Sequence, residues 1–292
     1  MTVPHGTVLL RLCGPLSAWG DQGRNDIRAT RSEPTLSGVV GLVASAMGRD
    51  WQDDVSDLTS LEFGVRVDRP GDRLTDYHTA QERDGRDPQR FTGETGVTRR
   101  EYLQDLRAWA ALRGPLAVIE QIDAAVRHPA RPVWLGRRSC PPGVPIAHAV
   151  VPDQQQASPL VAALLSAPRL LDRPAGLAVT MTVDRSAFPA GTEPPLAQPV
   201  WAQDRLLGTF ADRQFGLRAA LHYPAQVGAE VPLDVTLWVP GPLEMAAAPA
   251  LMATEARAIV ASAQRAALSA VAGPSLAPAY AGVTLAQFTE DV

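Results

Sequence analysis

The spacing of apolar residues predicts a strand-helix-strand unit near the start of the chain. Residues 7–13 are β-branched and leucine-rich and are followed by Gly14-Pro15, which predicts a strand. An apolar stripe at helical spacing follows Ser37 and ends at Gly48, so we expect a helix with Ser37 as its N-cap. Alternation at residues 63–67 predicts a second strand.

A second unit of the same kind follows a long polar segment. Residues 69–100 are polar and glycine-rich without helical periodicity, which predicts a protruding hairpin or another functional insertion. Residues 109–112 fit a strand that ends in a turn, residues 116–126 a helix, and residues 132–135 an extended segment. The order β-α-β-insertion-β-α-β is that of a ferredoxin-like or RRM-like fold.

The rest of the chain predicts a smaller, mostly β part and a helical extension. Alternation at 177–183 and 231–239 predicts two strands, and the proline-rich residues 188–199 between them predict a loop. An alanine-rich helix is expected over 254–272. We therefore expect an α+β protein with a ferredoxin-like domain at 1–150, its insertion at about 69–100, a β-rich part at 151–245 and a helical extension at 246–292.

Composition excludes several classes of protein. Of 292 residues 46% are hydrophobic and 20% are charged, as in globular proteins and unlike disordered chains. No apolar run approaches the ~18 residues of a membrane span, and the N-terminus lacks the features of a signal peptide, so a cytoplasmic location without membrane contact is expected. Cys13 and Cys140 are too few for a cysteine-rich zinc site or a disulfide framework, and we expect neither a metal nor a cofactor.

All 27 cationic residues are arginines, because the chain contains no lysine. They cluster along the sequence at 24–31, 99–113 and 127–138. Arginine binds phosphate through its planar fork and stacks on bases, although a solvated surface is the alternative explanation for each cluster. The net charge of −4 argues against a free-standing, non-specific nucleic-acid binder.

No familiar catalytic or phosphate-binding motif is present in the sequence, and the five histidines lack metal-ligand spacing. His78 stands out because it follows Asp76 and Tyr77 directly. Together with a nearby arginine it would suit the acid or base of a ribonuclease. A surface or packing role for this histidine is the alternative.

Three segments suit a binding surface better than a reaction centre. Trp19 lies on a loop between glycines and is either a stacking platform for a base or a core residue. Ser37 and Gly38 open a helix whose free N–H groups either bind phosphate or are only capped. Residues 134–139 combine an aromatic ring, two adjacent arginines and a serine ahead of a Cys-Pro-Pro turn, a combination that suits single-stranded RNA.

Five motifs occur in a fixed order along the chain. They are LRLxGPLxAWG at 10–20, PTxSGVVGL at 34–42, DYHT at 76–79, REYLxD at 100–105 and LGRRSCP at 135–141. In this order they resemble the CasD family of the type I-E CRISPR surveillance complex, Cascade. The resemblance covers roughly residues 7–223 and leaves the later residues without a counterpart.

The resemblance implies a RAMP-type protein with a ferredoxin-like domain and a protruding β-hairpin thumb. Such a subunit is not the processing nuclease. It binds the 5′ handle of the crRNA, caps a filament of CasC-type backbone subunits, lies near the CasA-type large subunit and meets target DNA through the assembled complex. The RNA-binding residues it implies here are Trp19, Arg28, Arg31, Ser37, Gly38, His78, Arg99, Arg100, Trp134, Arg137, Arg138 and Ser139.

Related subunits in other CRISPR subtypes imply an alternative. There the subunit is itself a metal-independent endoribonuclease that processes precursor crRNA. In this chain such an activity would depend on His78, Tyr77 and a nearby arginine.

Overall fold

The computed structural model describes residues 3–20, 27–83, 91–154, 157–170 and 179–227, so the strand expected at 231–239 and the helix expected at 254–272 lie outside the described residues. The described part is a mixed α/β structure with mostly antiparallel strands. In chain order its elements are β1 (His5–Cys13), β2 (Leu16–Ser17), β3 (Trp19–Gly20), β4 (Ile27–Arg28), β5 (Thr30–Arg31), α1 (Leu36–Ala46), α2 (Ser56–Thr59), β6 (Glu62–Arg69), β7 (Asp72–Arg83), β8 (Phe91–Gln104), β9 (Arg107–Pro115), α3 (Leu116–Arg127), β10 (Ala147–Pro152), α4 (Pro159–Ser166), β11 (Val179–Asp184), β12 (Gln198–Leu206) and β13 (Phe215–Ala225).

A seven-stranded antiparallel sheet organises these elements, in the order β10-β1-β9-β6-β11-β13-β12. Helices α1 and α3 pack on one face, where they share a core with β1, β6 and β9. Helix α4 packs on the other face, in a second core that includes β11 and β13. The described strands beyond residue 150 therefore extend the same sheet.

The central strands are apolar at nearly every position because helices cover both faces of the sheet. In β1, Val8 and Leu10 face the core with α1 and α3, whereas Leu9 faces the core with α4. In β9, Trp109 is fully buried on the α4 side. A continuous apolar run, rather than strict alternation, consequently marks these strands in the sequence.

The N-cap of α1 is Thr35 and not Ser37, which corrects the prediction from sequence. The Thr35 hydroxyl accepts a hydrogen bond from the Gly38 N–H at 3.2 Å. Thr35 has an extended backbone, as an N-cap requires, and Ser37 belongs to the first turn. Both hydroxyl residues precede the apolar stripe, and a difference of two residues, about half a turn, is not visible in the hydrophobic pattern.

A long hairpin of β7 and β8 occupies the predicted insertion. The two strands pair antiparallel from Asp72 opposite Gln104 to Arg83 opposite Phe91. At its base β8 also pairs with β2 and, in parallel, with β4. The hairpin connects the end of β6 to the start of β9, so it leaves the main sheet at one end.

The extended segment expected at 132–135 is not a strand, which is a second correction. The strand that pairs with β1 is β10, at Ala147–Pro152. Residues 132–135 instead lead into a closed turn, since the Leu135 N–H donates to the Cys140 carbonyl at 2.8 Å. Elements α4, β12 and β13 were not predicted, although β11 is found where alternation indicated a strand. None of the described helices is long and apolar enough to cross a membrane.

Candidate nucleic-acid interface

The base of the hairpin brings arginines from separate segments together. In the parallel pairing of β4 with β8, Arg28 stands opposite Arg100, and on the other side of β8 Arg100 stands opposite Asp76. Directly opposite residues point to the same face of a sheet. Arg28, Asp76 and Arg100 therefore share one face, while Arg99, next to Arg100 on β8, points to the other.

The turn at 135–140, here called the arginine loop, is fixed against the β1–β3 connection. The Ala18 N–H donates to the Leu135 carbonyl at 3.0 Å. Gly136 has a φ of +89°, and a Cβ at this position would lie 1.8 Å from the Ala18 carbonyl oxygen. Only glycine fits such a left-handed and tightly packed position. The loop therefore presents Arg137 and Arg138 from a defined backbone.

Arg137 links the arginine loop to the hairpin through backbone carbonyls. Its guanidinium donates to the Glu101 oxygen at 2.7 Å and to the Arg28 oxygen at 2.7 Å. The same guanidinium lies 4.9 Å from the ring centroid of Tyr102, and the Tyr102 hydroxyl is 3.3 Å from the Ser139 hydroxyl. Arg137 consequently positions three segments, and its fork is largely occupied by the protein.

Arg138 and Arg28 are exposed and make no side-chain hydrogen bond or ion pair within the described part of the chain. Arg137 contacts the Arg28 carbonyl, so Arg138, the next residue, lies at the same end of the hairpin. Arg100 is half-buried, and its Nε donates to the Thr98 hydroxyl at 3.4 Å. We call Arg28, Arg100 and Arg138 the arginine site. Exposed guanidinium groups without a carboxylate partner, such as those of Arg28 and Arg138, suit phosphate oxygens.

His78 lies close to Asp76 on the hairpin face that carries Arg100. The His78 Nε2 lies 2.6 Å from the Asp76 carboxylate. Tyr77 lies between them in sequence, points to the opposite face and is 62% exposed. The structure therefore does not bring Tyr77 and His78 into one site, as a ribonuclease based on both would need.

Trp19 is a core residue in this structure, which corrects the expectation of an exposed stacking platform. It is fully buried, and its ring lies against Gly38, where an added Cβ would be 2.9 Å from Trp19 Cε3. Its backbone pairs with Arg31, which is half-buried in β5. Trp134 is half-buried ahead of the arginine loop.

The N-terminus of α1 is occupied by the protein's own carboxylate. The Leu36 N–H donates to Asp204 at 2.9 Å, and the Gly38 N–H donates to Thr35. Of the two residues expected to bind phosphate here, Gly38 therefore has its N–H already bonded, and the carboxylate of Asp204 beside Leu36 makes this helix end unfavourable for an anion.

A buried ion-pair network holds Asp204 in this position. The Arg218 guanidinium donates to Asp204 at 2.9 and 3.0 Å and to Asp184 at 2.7 Å, while Asp184 also accepts the Phe63 N–H at 2.9 Å. Burial alone would lower the pKa of Arg218, but the hydrogen bonds and charges of both carboxylates raise it above its usual value. Burial raises the pKa of Asp184, and Arg218 opposes that effect.

Neither this network nor the role of Tyr102 was predictable from the sequence motifs. Asp184, Asp204 and Arg218 are each more than nine-tenths buried but lie in three different strands. A charged residue inside an apolar strand, such as Arg218 in β13, is the available signal for such a network. Nothing in the sequence indicates which carboxylates would pair with it.

The arrangement as a whole is an α/β protein with an antiparallel sheet and a basic site where a long hairpin leaves that sheet. The chain belongs to the family described as CRISPR-associated protein (Cas_Cas5), whose family model matches residues 7–205. This finding confirms, at the level of the family, the resemblance detected in the motifs.

The similarity extends to a curated relative and to solved structures. The chain is 39% identical over 151 residues to the CRISPR system Cascade subunit CasD of Escherichia coli (strain K12), a match that covers 46% of this chain and 66% of that protein, just under two thirds. A structure titled "Crystal structure of Cas protein" matches with a TM-score of 0.57 and 32% identity, covering 77% of this chain and 100% of the other. A chain titled "CRISPR RNA-guided surveillance complex" matches with a TM-score of 0.57 and 26% identity, covering 76% and 90%.

Proposed function

We propose that this chain is a non-catalytic, RNA-binding subunit of a type I-E Cascade complex that holds the 5′ handle of the crRNA. Membership of the family and the similarity to a protein named as the Cascade subunit CasD support this assignment. In this proposal the subunit caps a filament of CasC-type subunits beside a CasA-type large subunit in the cytoplasm. Target DNA is met only by the assembled complex.

The arginine site is the observation that carries the proposal. Arg28 and Arg138 are exposed and lack carboxylate partners among the described residues, although the protein as a whole is acidic. Many other arginines are neutralised by close carboxylates, as Arg113 is by Glu62 at 2.8 Å and by Asp153 at 2.6 Å. Positive charge concentrated at one place favours a defined phosphate group over general attraction of nucleic acid.

The fold supports corresponding roles for its parts. We assign β1, α1, β6, β9, α3 and β10 to a ferredoxin-like RAMP domain. Its four strands lie side by side in the order β10-β1-β9-β6, so that the fourth strand of the domain pairs with the first, the first with the third, and the third with the second. The β7–β8 hairpin is then the thumb, and the arginine site lies at its base. Arg99, on the other face of the hairpin, is a further RNA contact in this proposal.

Replacing Arg138 tests the function directly. In the complex reconstituted with crRNA and partner subunits, we expect Arg138→Ala to weaken RNA binding about ten- to a hundredfold, because a charged hydrogen bond contributes roughly 1.5–3 kcal/mol. Arg127→Ala is the matched control, since Arg127 is also exposed but bonds Asp123 at 2.7 Å on α3. The measurement is crRNA affinity at two salt concentrations, with thermal melting of each variant.

The two variants must differ for the proposal to stand. A near-native melt together with loss of RNA binding in Arg138→Ala alone supports it. Equal RNA affinity of the two variants and the unmodified protein would remove the arginine site from the RNA interface.

The endoribonuclease alternative depends on His78, Tyr77 and a nearby arginine, and Tyr77 lies on the other face of the hairpin from His78. We expect His78→Ala to leave maturation of precursor crRNA unchanged in cells that retain the separate processing subunit. Accumulation of uncut precursor in that variant would instead favour the nuclease.

A further inference from the structure

A cavity of about 120 Å³ lies between the segment that leads into α1 and the edge of the sheet formed by β12 and β13. Arg31, Glu33 and Thr35 line one wall. Thr182 and His222, on neighbouring strands β11 and β13, line another, and Trp201 of β12, which is 69% exposed, lies at the edge. The enclosed volume suits a planar group about the size of one nucleobase.

Three side chains of this cavity form a hydrogen-bond chain whose direction is determined. The Thr182 hydroxyl lies 2.8 Å from the Glu33 carboxylate and 2.8 Å from His222 Nδ1. A carboxylate only accepts, so Thr182 must donate its single hydrogen to Glu33. Thr182 then accepts from His222, which places a proton on Nδ1, and in that tautomer Nε2 is an acceptor.

Two of the groups that line the cavity keep acceptor capacity, whereas the Arg31 guanidinium on the same wall as Glu33 is a donor. Glu33 retains the lone pairs that Thr182 does not use, and His222 retains Nε2. Nearby, the buried Arg218 guanidinium donates to the Asp204 carboxylate, which also accepts the Leu36 N–H. A ligand that bonds Glu33 in this cavity must consequently bring a hydrogen-bond donor.

A short stretch of chain connects the cavity to the arginine site. Arg28 belongs to the arginine site and Glu33 lines the cavity, and the five residue steps from one to the other span at most about 18 Å. A few nucleotides of single-stranded RNA can follow this path. Proteins that read single-stranded RNA take unstacked bases into pockets and bond their Watson–Crick edges.

We propose that this cavity binds one unstacked nucleobase of the guide RNA, a base that carries an exocyclic amino group. Glu33 accepts a hydrogen bond from the amino group, and His222 accepts a second N–H where the base offers one. Guanine, adenine and cytosine meet the first requirement, whereas uracil does not. The inference rests on the proposed function and adds a base-reading contact to its phosphate contacts.

The test perturbs the RNA and the protein separately. The affinity of the reconstituted complex is measured for a series of modified crRNAs. In each of them one handle nucleotide is either abasic or carries a base that lacks its amino group. We expect one position at which loss of the amino group weakens binding by about ten- to a hundredfold, as for a hydrogen bond to a charged acceptor. With Glu33→Gln, whose amide oxygen is an uncharged acceptor, the loss at that position becomes smaller. With Glu120→Gln, which changes an exposed acid on α3, the profile stays unchanged.

Each outcome decides the matter. An unmodified protein that is indifferent to amino groups at every handle position overturns the proposal, whatever the folding of the variant. A Glu33→Gln variant that binds every crRNA more weakly by the same factor overturns it in favour of a structural role of Glu33. A variant that loses a partner subunit while its RNA profile is intact overturns it in favour of a donor side chain of that partner protein. If Arg138→Ala weakens RNA binding but no handle position is sensitive to the loss of an amino group, only this inference fails and the proposed function stands.

Discussion

Adjacent arginines in this protein have different roles, and their contacts explain why. The Arg137 guanidinium bonds the Glu101 and Arg28 carbonyls and lies over Tyr102, whereas Arg138 is exposed without a bonded partner among the described residues. The two side chains leave a turn whose backbone bends at Gly136. One arginine therefore stabilises the hairpin base and the other remains available for a ligand.

Single substitutions should separate these roles. We expect Arg137→Ala to lower the free energy of unfolding by about 1.5–3 kcal/mol, because hydrogen bonds to a charged group are lost. Arg138→Ala should change it by no more than about 0.5 kcal/mol, as is usual for exposed positions. Urea unfolding of both variants measures the difference, and equal stabilities would contradict the structural role of Arg137.

At the scale of elements, the arginine loop depends on one close approach between backbones. Gly136 combines a positive φ with contact to the Ala18 carbonyl, and the Ala18–Leu135 hydrogen bond lies beside it. The loop, the β1–β3 connection and the base of the hairpin are thus fixed relative to one another. A change at this glycine should move the loop as a unit.

Gly136→Ala should destabilise the protein by more than the roughly 1–2 kcal/mol that a left-handed backbone costs a non-glycine residue, because its Cβ would also overlap the Ala18 oxygen. RNA binding by the complex should fall with it. Gly20→Ala is the control, since nothing lies within 4 Å of a Cβ there. Thermal melting that is the same for both variants would show that the loop tolerates the side chain.

At the scale of the whole molecule, Arg218 joins parts of the chain that are distant in sequence. Through Asp204 it reaches the start of α1, and through Asp184 it reaches the Phe63 N–H in β6. The late strands of the sheet are thereby connected to the first helix by charge as well as by strand pairing. This connection explains why carboxylates are tolerated in the interior.

Arg218→Met should cost about 3–5 kcal/mol at neutral pH, because two buried carboxylates lose their counter-ion. Burial already raises the folded-state pKa of Asp184. A group with a raised pKa favours the folded state below its unfolded pKa, and this contribution is lost as pH rises through the folded value. The variant should therefore be closer to the parent in stability at pH 4.5 than at pH 7.5.

Urea midpoints of Arg218→Met and of the parent at the two pH values test this expectation. Arg205→Met is the control, since Arg205 is partly exposed and 3.8 Å from Asp184. A deficit in Arg218→Met that is independent of pH would contradict the account based on buried charge.

The local sequence by itself determined the elements whose spacing of apolar residues identifies them without knowledge of their tertiary contacts. The strand at β1, the helices α1 and α3, and the hairpin in the polar insertion are all found where apolar spacing or its absence indicated them. Side-chain spacing is a local property, so it can be inferred without a partner. The family motifs likewise identified the family, which the comparison confirms.

Tertiary structure alone decided which residues meet. Arg113, Arg127 and Arg138 are alike in sequence, yet only Arg138 lacks a carboxylate partner among the described residues. Trp19 is buried because it packs against Gly38, and the N-terminus of α1 is occupied because Asp204 reaches it from β12. Burial and charge pairing depend on residues far apart in the chain, so the contacts that close or open a site arise only when the sheet assembles.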